Sequence, residues 1–288
     1  MASERDVAFA TADGVDLKLD IYRPNGASAR AAILFLHGGG WRGGSREIMR
    51  PLARAMAEFG FVGLPAQYRL TGQSAWPAQI HDLKAAIRWT RANAARLDID
   101  PDRIVLWGSS AGAHLALLAA GTPDDPAFEG EVGLKGVSSV VQAVIAVHPP
   151  TSFYVGPRDL SHSSAIDALM GPGASEADAR AASPLSHVSE RFPPTLLLHG
   201  TADRVVHHSS SQRMLDALRA AKAPADLHLF HGQNHGFEAV PSVRAVLTAE
   251  AAYFLDRSLI DPEKHEREIQ KFSMFAQRAA AEAVATKT

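Results

Sequence analysis

Short, wholly apolar runs recur along this chain, each followed by a stretch of helical periodicity. Residues 31–36 (AAILFL), 61–66, 104–107, 140–147 and 195–198 (TLLL) show no polar alternation. That pattern predicts strands buried on both faces. Between and after them, 48–59, 78–97, 111–120, 209–221 and 241–259 carry apolar residues at helical spacing. In the second of these, Ile80, Leu83, Ile87 and Ala94 mark the face that should turn inward. Residues 226–230 predict one more strand. Near the start, 7–10 and 15–22 predict two strands joined at Asp13-Gly14. In the second, Val15, Leu17, Leu19 and Ile21 alternate with Asp16, Lys18, Asp20 and Tyr22, which predicts one exposed face, as at a sheet edge. Regular alternation of strand and helix from 31 to 259 predicts an α/β fold, a mostly parallel sheet with helices on both faces.

The periodicity fails over 151–193, which is rich in Ser, Ala, Pro and Gly and holds only short helical pieces near 164–170 and 175–181. So long a loop inside a compact domain is expected to be a lid or binding element. Residues 1–260 then form a single catalytic domain, and 261–288 a helical tail. The tail is charged at first (DPEKHERE), then places Ile269, Phe272, Phe275 and Ala279 on one helical stripe. Such a stripe needs a surface to cover it, on its own domain or on a second copy of the chain, so a homodimer is one expectation.

Composition narrows the function classes. A hydrophobic fraction of 46% and a charged fraction of 21% in 288 residues are ordinary for a globule with a sizeable core. The net charge of −2, with no cluster of Lys and Arg, argues against a nucleic-acid or anionic-membrane partner. The chain has no cysteine, which excludes disulfides, thiolate metal sites and cysteine nucleophiles. No apolar run reaches the length of a membrane span. The opening MASERDVAFATADG is charged and lacks an apolar stretch of signal-peptide length, so a cytoplasmic location is expected.

The candidate chemistry sits at strand ends, where open α/β sheets bind their ligands. The strand at 104–107 runs into Gly108-Ser109-Ser110-Ala111-Gly112, a G-x-S-x-G opening a helix. A serine in so sharp a turn presents its hydroxyl above the sheet, and the glycines leave room for the turn. Ser110 is the candidate nucleophile. The strand at 31–36 runs into His37-Gly38-Gly39-Gly40-Trp41, where three consecutive glycines suggest that backbone N–H groups are wanted for a developing oxyanion. His37 is expected to orient that loop.

A serine hydroxyl needs a base, usually a histidine held by a carboxylate. Asp203 and His235 each follow a late strand, in the chain order Ser, Asp, His. His235 is favoured over His231, which abuts the strand end, because its loop of Gly and Asn can carry the ring over Ser110. The His81-Asp82 pair lies near a helix start with side chains pointing apart, which predicts a structural role. No H-x-x-x-H on a helix and no carboxylate cluster supports a metal. Trp41, Trp76 and Phe153 lie near site loops and are candidate pocket walls.

Taken together, HGGGW, GSSAG, HGTAD and NHGF, in this order and spacing, resemble the α/β-hydrolase esterases. They are most similar to the branch related to hormone-sensitive lipase and to bacterial feruloyl- and acetylxylan-type esterases. YRL, WPAQIHDLKAAIRW and DPDRI extend the resemblance over 15–259. It implies Ser110 as nucleophile, Asp203 as acid and His235 as base, with an oxyanion hole from the N–H groups of Gly39, Gly40 and Ala111. Ser109 stands where the lipase branch usually has Asp, and the N-terminal hairpin is shorter than that branch's cap. Both departures point to the feruloyl/acetylxylan-like group.

The implied reaction is hydrolysis of small to medium carboxylic esters through an acyl-enzyme, with no cofactor. Trp41, Ser109 and Phe153 are the expected substrate contacts. An amidase, an arylformamidase or an acyltransferase would use the same triad. A non-catalytic binding protein on the same fold would be expected to lack a triad member.

Overall fold

The computed structural model describes residues 3–26, 30–154, 164–275 and 278. Eight strands form one sheet: β1 Ser3–Ala12, β2 Val15–Tyr22, β3 Ala32–Leu36, β4 Val62–Ala66, β5 Ile104–Ser109, β6 Ala143–Val147, β7 Thr195–Gly200 and β8 Ala225–Phe230. Their order is β1-β2-β4-β3-β5-β6-β7-β8. The pairs β1/β2 and β2/β4 are antiparallel, and every pair from β4 to β8 is parallel. The helices are α1 Arg50–Glu58, α2 Ala78–Ala92, α3 Ala94–Leu97, α4 Ala111–Gly121, α5 Pro126–Glu129, α6 Ser164–Met170, α7 Glu176–Ala181, α8 Ser209–Ala220, α9 Pro241–Leu255 and α10 Pro262–Phe272.

The unbroken apolar runs of β3 and β5 serve two cores at once. Leu34, Leu36, Ile104 and Leu106 enter the layer that holds residues of α2, α4 and α8. Ile33, Phe35, Val105 and Trp107 point the other way, into the layer under α1 and α9. Phe35 stacks on Trp107 there with ring centroids 5.5 Å apart. Burying each such side chain stabilises the fold by roughly 1.5–3 kcal/mol, so the central strands are the most firmly held part of the frame. All of their carboxyl ends open on one edge, and the chain beyond them builds the site.

Three expectations change. Strand β2 does not lie at the sheet edge, because β1 covers it, and its polar position Asp20 is fully buried. Arg46 Nε at 3.3 Å, Arg50 Nε at 2.7 Å and the Asp6 amide at 3.1 Å satisfy that carboxylate. The helix expected over 78–97 breaks at Asn93, whose side chain donates to the Trp89 carbonyl, leaving α3 as a single turn. The helix expected over 48–59 begins instead as a 3-10 turn at Arg46–Met49.

The described part of 151–193 is packed rather than loose. Phe153, Ile166, Leu169 and Ala182 join the main core. The Phe153 amide donates to Ser183 Oγ and the Leu185 amide to the Thr151 carbonyl. Residues 155–163 of the expected lid lie outside the described residues. On α10, Ile269 is 50% and Phe272 72% exposed, so nothing within the described chain covers that stripe; Ala279 lies outside the described residues. Among the described residues, no helix is long and apolar enough to cross a membrane.

Candidate active site

Ser110 follows β5 directly, with φ 52° and ψ −116°. A non-glycine residue at positive φ costs of order 1–3 kcal/mol, and the surroundings must hold it there. Two glycines make the turn possible. A Cβ on Gly108 would collide with the Gly112 carbonyl and the Ala113 backbone, and one on Gly112 with the Leu36 and His37 carbonyls. The Ser110 amide donates to Val147 O at 2.9 Å and its carbonyl accepts from the His114 amide. With its backbone so held, the Ser110 side chain is aimed across the strand ends.

The structure brings Ser110, His235 and Asp203 together. His235 Nε2 lies 2.9 Å from Ser110 Oγ, and His235 Nδ1 lies 2.7 Å from Asp203 Oδ2. His231 takes no part in this chain of contacts. Asp203 Oδ1 accepts from the Val205 and Val206 amides at 2.8 and 2.9 Å. Burial alone would raise the Asp203 carboxyl, but the histidine and amide hydrogen bonds outweigh it and hold it far below the usual carboxylate range. His199 adds to this from the other side, with Nε2 3.4 Å from Asp203 Oδ2. His199 also donates to Val206 O, while its Nδ1 faces Ser211 Oγ at 2.7 Å.

The glycine loop lies against the serine turn. A Cβ on Gly38 would stand 3.2 Å from both Ser110 Cβ and the Ser109 carbonyl. Gly39, Gly40 and Trp41 all adopt positive φ, at 120°, 59° and 57°. The Gly39 carbonyl turns back to accept from the Arg42 and Gly43 amides. Among the described residues, the Gly39 and Gly40 amides have no backbone acceptor. Ala111 opens α4, so its N–H is one of the donors a helix leaves free at its start.

As expected, His37 orients this loop: its Nδ1 donates to the Gly38 carbonyl at 2.7 Å. Tyr68 stacks on its ring at 4.4 Å and donates to the His37 carbonyl at 2.9 Å. Arg69, next along, is gripped by Asp82 through Nε and Nη2 at 2.8 and 2.6 Å. The structural role expected of Asp82 is therefore to anchor, from α2, the segment that braces the glycine loop.

A cavity of about 380 Å³ opens beside Ser110 and His235. Gly39, Ile48, Met49, Pro51 and Leu52 give it an apolar wall, and Ser109, His148, Glu238 and Arg244 supply its polar groups. Ser109 lines this cavity. Trp41 and Phe153, the other expected contacts, do not line it; Phe153 lines a separate cavity with Ile166 and Met170. Trp41 is 1% and Phe153 4% exposed. Their rings pack against each other edge to face at 5.6 Å and around buried His114, so hydrophobic packing takes them inward. Trp76 also turns toward His114, with centroids 6.1 Å apart.

Two polar members of the site were not legible in the sequence. His148 directly follows β6, but nothing in its neighbours pairs it with Glu238, 90 residues on. Glu238 follows His235 by three residues in a 3-10 turn, a position that carries no motif of its own. His148, Asp203 and His235 present ligand atoms within 4.8 Å of one another. Asp203 and His235 are engaged with each other and with Ser110, so an ion there would have to displace those hydrogen bonds.

The sheet order, with a serine turn after β5, an aspartate after β7 and a histidine after β8, defines an α/β-hydrolase. The family model BD-FAE matches residues 19–218, and the chain belongs to that family. It is 35% identical over 249 residues to esterase LipQ of Mycobacterium tuberculosis, covering 81% of this chain and 57% of that protein. It is 33% identical over 244 residues to the probable carboxylic ester hydrolase LipM of the same organism, covering 81% and 56%. The chain thus spans just over half the length of these relatives. Among solved structures, Thermogutta terrifontis esterase 2 phosphonylated by sarin superposes with a TM-score of 0.78 at 32% identity, covering 88% of this chain and 94% of that one. A truncated carbohydrate esterase from gut microbiota gives 0.78 at 28% identity, covering 90% and 96%.

Proposed function

We propose that this protein is a serine carboxylesterase that hydrolyses small to medium carboxylic esters through an acyl-enzyme. The observation that carries this is the unbroken run of hydrogen bonds from Ser110 through His235 to Asp203 at the mouth of a mostly apolar cavity. His235 takes the proton of Ser110 as its Oγ attacks the ester carbonyl. Asp203 holds Nδ1–H and offsets the charge of the imidazolium. The N–H groups of Gly39, Gly40 and Ala111 receive the oxyanion, each worth about 3 kcal/mol of transition-state stabilisation. His235 then protonates the departing alcohol, the C–O bond breaks, and a water activated by the same imidazole releases the acid.

The wall formed by Ile48, Met49, Pro51 and Leu52 has no charged side chain, which supports an apolar acyl or alkoxy group in the cavity. A panel of p-nitrophenyl and alkyl esters of graded acyl length tests this. Activity should peak at short to medium chains. Equal activity on long-chain lipids, or none on any ester, would contradict it. The named relatives are esterases, and the sarin adduct of a structural neighbour supports serine-directed labelling as a companion assay.

The exposed stripe on α10 supports self-association. Light scattering should then find a dimer for the full chain and a monomer for a truncation at 260, and two monomers would refute it. A cytoplasmic location is tested by cell fractionation.

A further inference from the structure

Beside the Asp203–His235 pair stands a second carboxylate–imidazole pair that the triad does not use. Glu238 Oε2 lies 2.9 Å from His148 Nε2, and Glu238 Oε1 accepts from the hydroxyl of Ser109. Both oxygens are therefore occupied, and the two partners matter. Ser109 immediately precedes the nucleophile. His148 lies against the base, with ring centroids 4.0 Å apart and planes tilted by 44°. One carboxylate thus ties together the serine turn after β5, the end of β6 and the histidine loop after β8.

The tautomer of His148 follows from its contacts. Its Nδ1 is buried without a partner among the described residues. An orphaned acceptor is cheaper to bury than an orphaned N–H, so the proton belongs on Nε2, facing Glu238. The Gly236 N–H points at the same nitrogen from 3.3 Å and could donate there only to an unprotonated Nε2, so it yields to the shorter contact with Glu238. Burial pushes the His148 imidazole below the ordinary histidine range, against the pull of Glu238. Burial alone would raise the Glu238 carboxyl, but its contacts with His148 and Ser109 hold it low, so the pair is a carboxylate beside a neutral ring.

We propose that Glu238 is a positioning residue for the reaction: it fixes Ser109, and through it the nucleophile turn, and sets the orientation of the His148 ring against His235. The imidazolium that forms on His235 then meets a neutral ring backed by a negative charge instead of a second cation. This rests on the esterase reading of the site. The charged and titratable groups facing His235 are Asp203 with His199 behind it, His148 with Glu238 behind it, and Arg244 on the same cavity.

Glu238→Gln separates the roles, because an amide can accept from Ser109 or accept from His148 but carries no charge and no longer does both with two equal oxygens. Active sites are first titrated with a fluorophosphonate, so that rates refer to folded, reactive protein. In the variant, kcat on a short p-nitrophenyl ester should fall about 10- to 100-fold with KM little changed, as expected for misplaced reacting groups. The acid limb of its kcat/KM profile should move to lower pH, since the site loses a negative charge.

Ser109→Ala should lower kcat by a smaller factor and leave the acid limb in place. A Glu238→Gln enzyme with wild-type kcat and an unmoved acid limb would overturn the proposal. So would a rise in KM alone, which would make Glu238 a substrate contact. Should Glu238→Gln fail to titrate, wild-type kcat in Ser109→Ala would overturn the link to the nucleophile turn. A wild-type protein that neither labels nor hydrolyses esters would instead refute the esterase reading itself.

Discussion

His235 Nδ1 lies 2.7 Å from Asp203 Oδ2, a contact that joins the loop after β8 to the loop after β7. The carboxylate's other oxygen is held by two backbone amides, so Asp203 cannot turn away from the ring. Its ionised form fixes the proton on Nδ1 and leaves Nε2 free to accept from Ser110. Asp203→Asn preserves the shape of the site but presents an N–H donor or a weaker acceptor to the ring. We expect kcat on a short ester to fall by about 10⁴-fold with the thermal midpoint little changed. A fall of less than tenfold would mean that the aspartate does not set the tautomer.

The glycine loop offers a second test. Gly39 has φ 120°, and a Cβ placed there would collide with the Gly43 carbonyl. Gly39→Ala must therefore open the turn that directs the Gly39 and Gly40 amides. Loss of one oxyanion donor should lower kcat by about 10²–10³-fold. The rate of fluorophosphonate labelling should fall with it, because the phosphonyl oxygen uses the same donors. Slow hydrolysis with wild-type labelling would place the oxyanion donors elsewhere.

Much of this site was legible because burial on both faces leaves a plain trace. Strand β3 and residues 104–107 of β5 must be apolar to feed two cores, and the site follows each of them closely, at His37 and at Ser110. Asp203 and His235 were legible for the same reason, standing just past later strands. Strand β2 was misread because alternation reports polarity and not exposure. Asp20 looks like a solvent position until Arg46 and Arg50, from a 3-10 turn and from α1, converge on it. Trp41 and Phe153 sit beside site loops in sequence, yet their rings pack around buried His114 and do not line the cavity beside Ser110. The pairing of Glu238 with His148 and Ser109 was missed because these partners lie 90 and 129 residues from it in the chain.

His114 makes stability depend on pH in a defined window. Burial drives its pKa down from 6.5 to about 4, and its Nε2 donates to the Ala182 carbonyl at 2.7 Å. Between pH 6.5 and 4 the unfolded chain takes up a proton at this position that the native state refuses. The contribution is therefore fully present above pH 6.5 and is lost as pH falls toward 4, by about 3 kcal/mol in all. His37, His81 and His148, all lowered by burial, act in the same direction. The lowered carboxylates Asp20, Asp203 and Glu238 act in a separate window, below the ordinary carboxylate range. Urea unfolding at pH 7, 6, 5 and 4 should show the decline. His114→Gln keeps a donor for Ala182 and should flatten it, and an unchanged slope in the variant would contradict this origin.

The most direct test of the catalytic account is the hydrolysis of a short p-nitrophenyl ester by Ser110→Ala, measured beside the wild-type enzyme and with folding checked by circular dichroism. With the nucleophile absent, the triad can form no acyl-enzyme, and only about 10³–10⁴-fold catalysis over water should remain from the oxyanion donors and binding. We predict a folded protein whose kcat falls by several orders of magnitude and which no longer takes up a fluorophosphonate. Wild-type turnover by a folded Ser110→Ala protein would show that the reaction does not pass through Ser110.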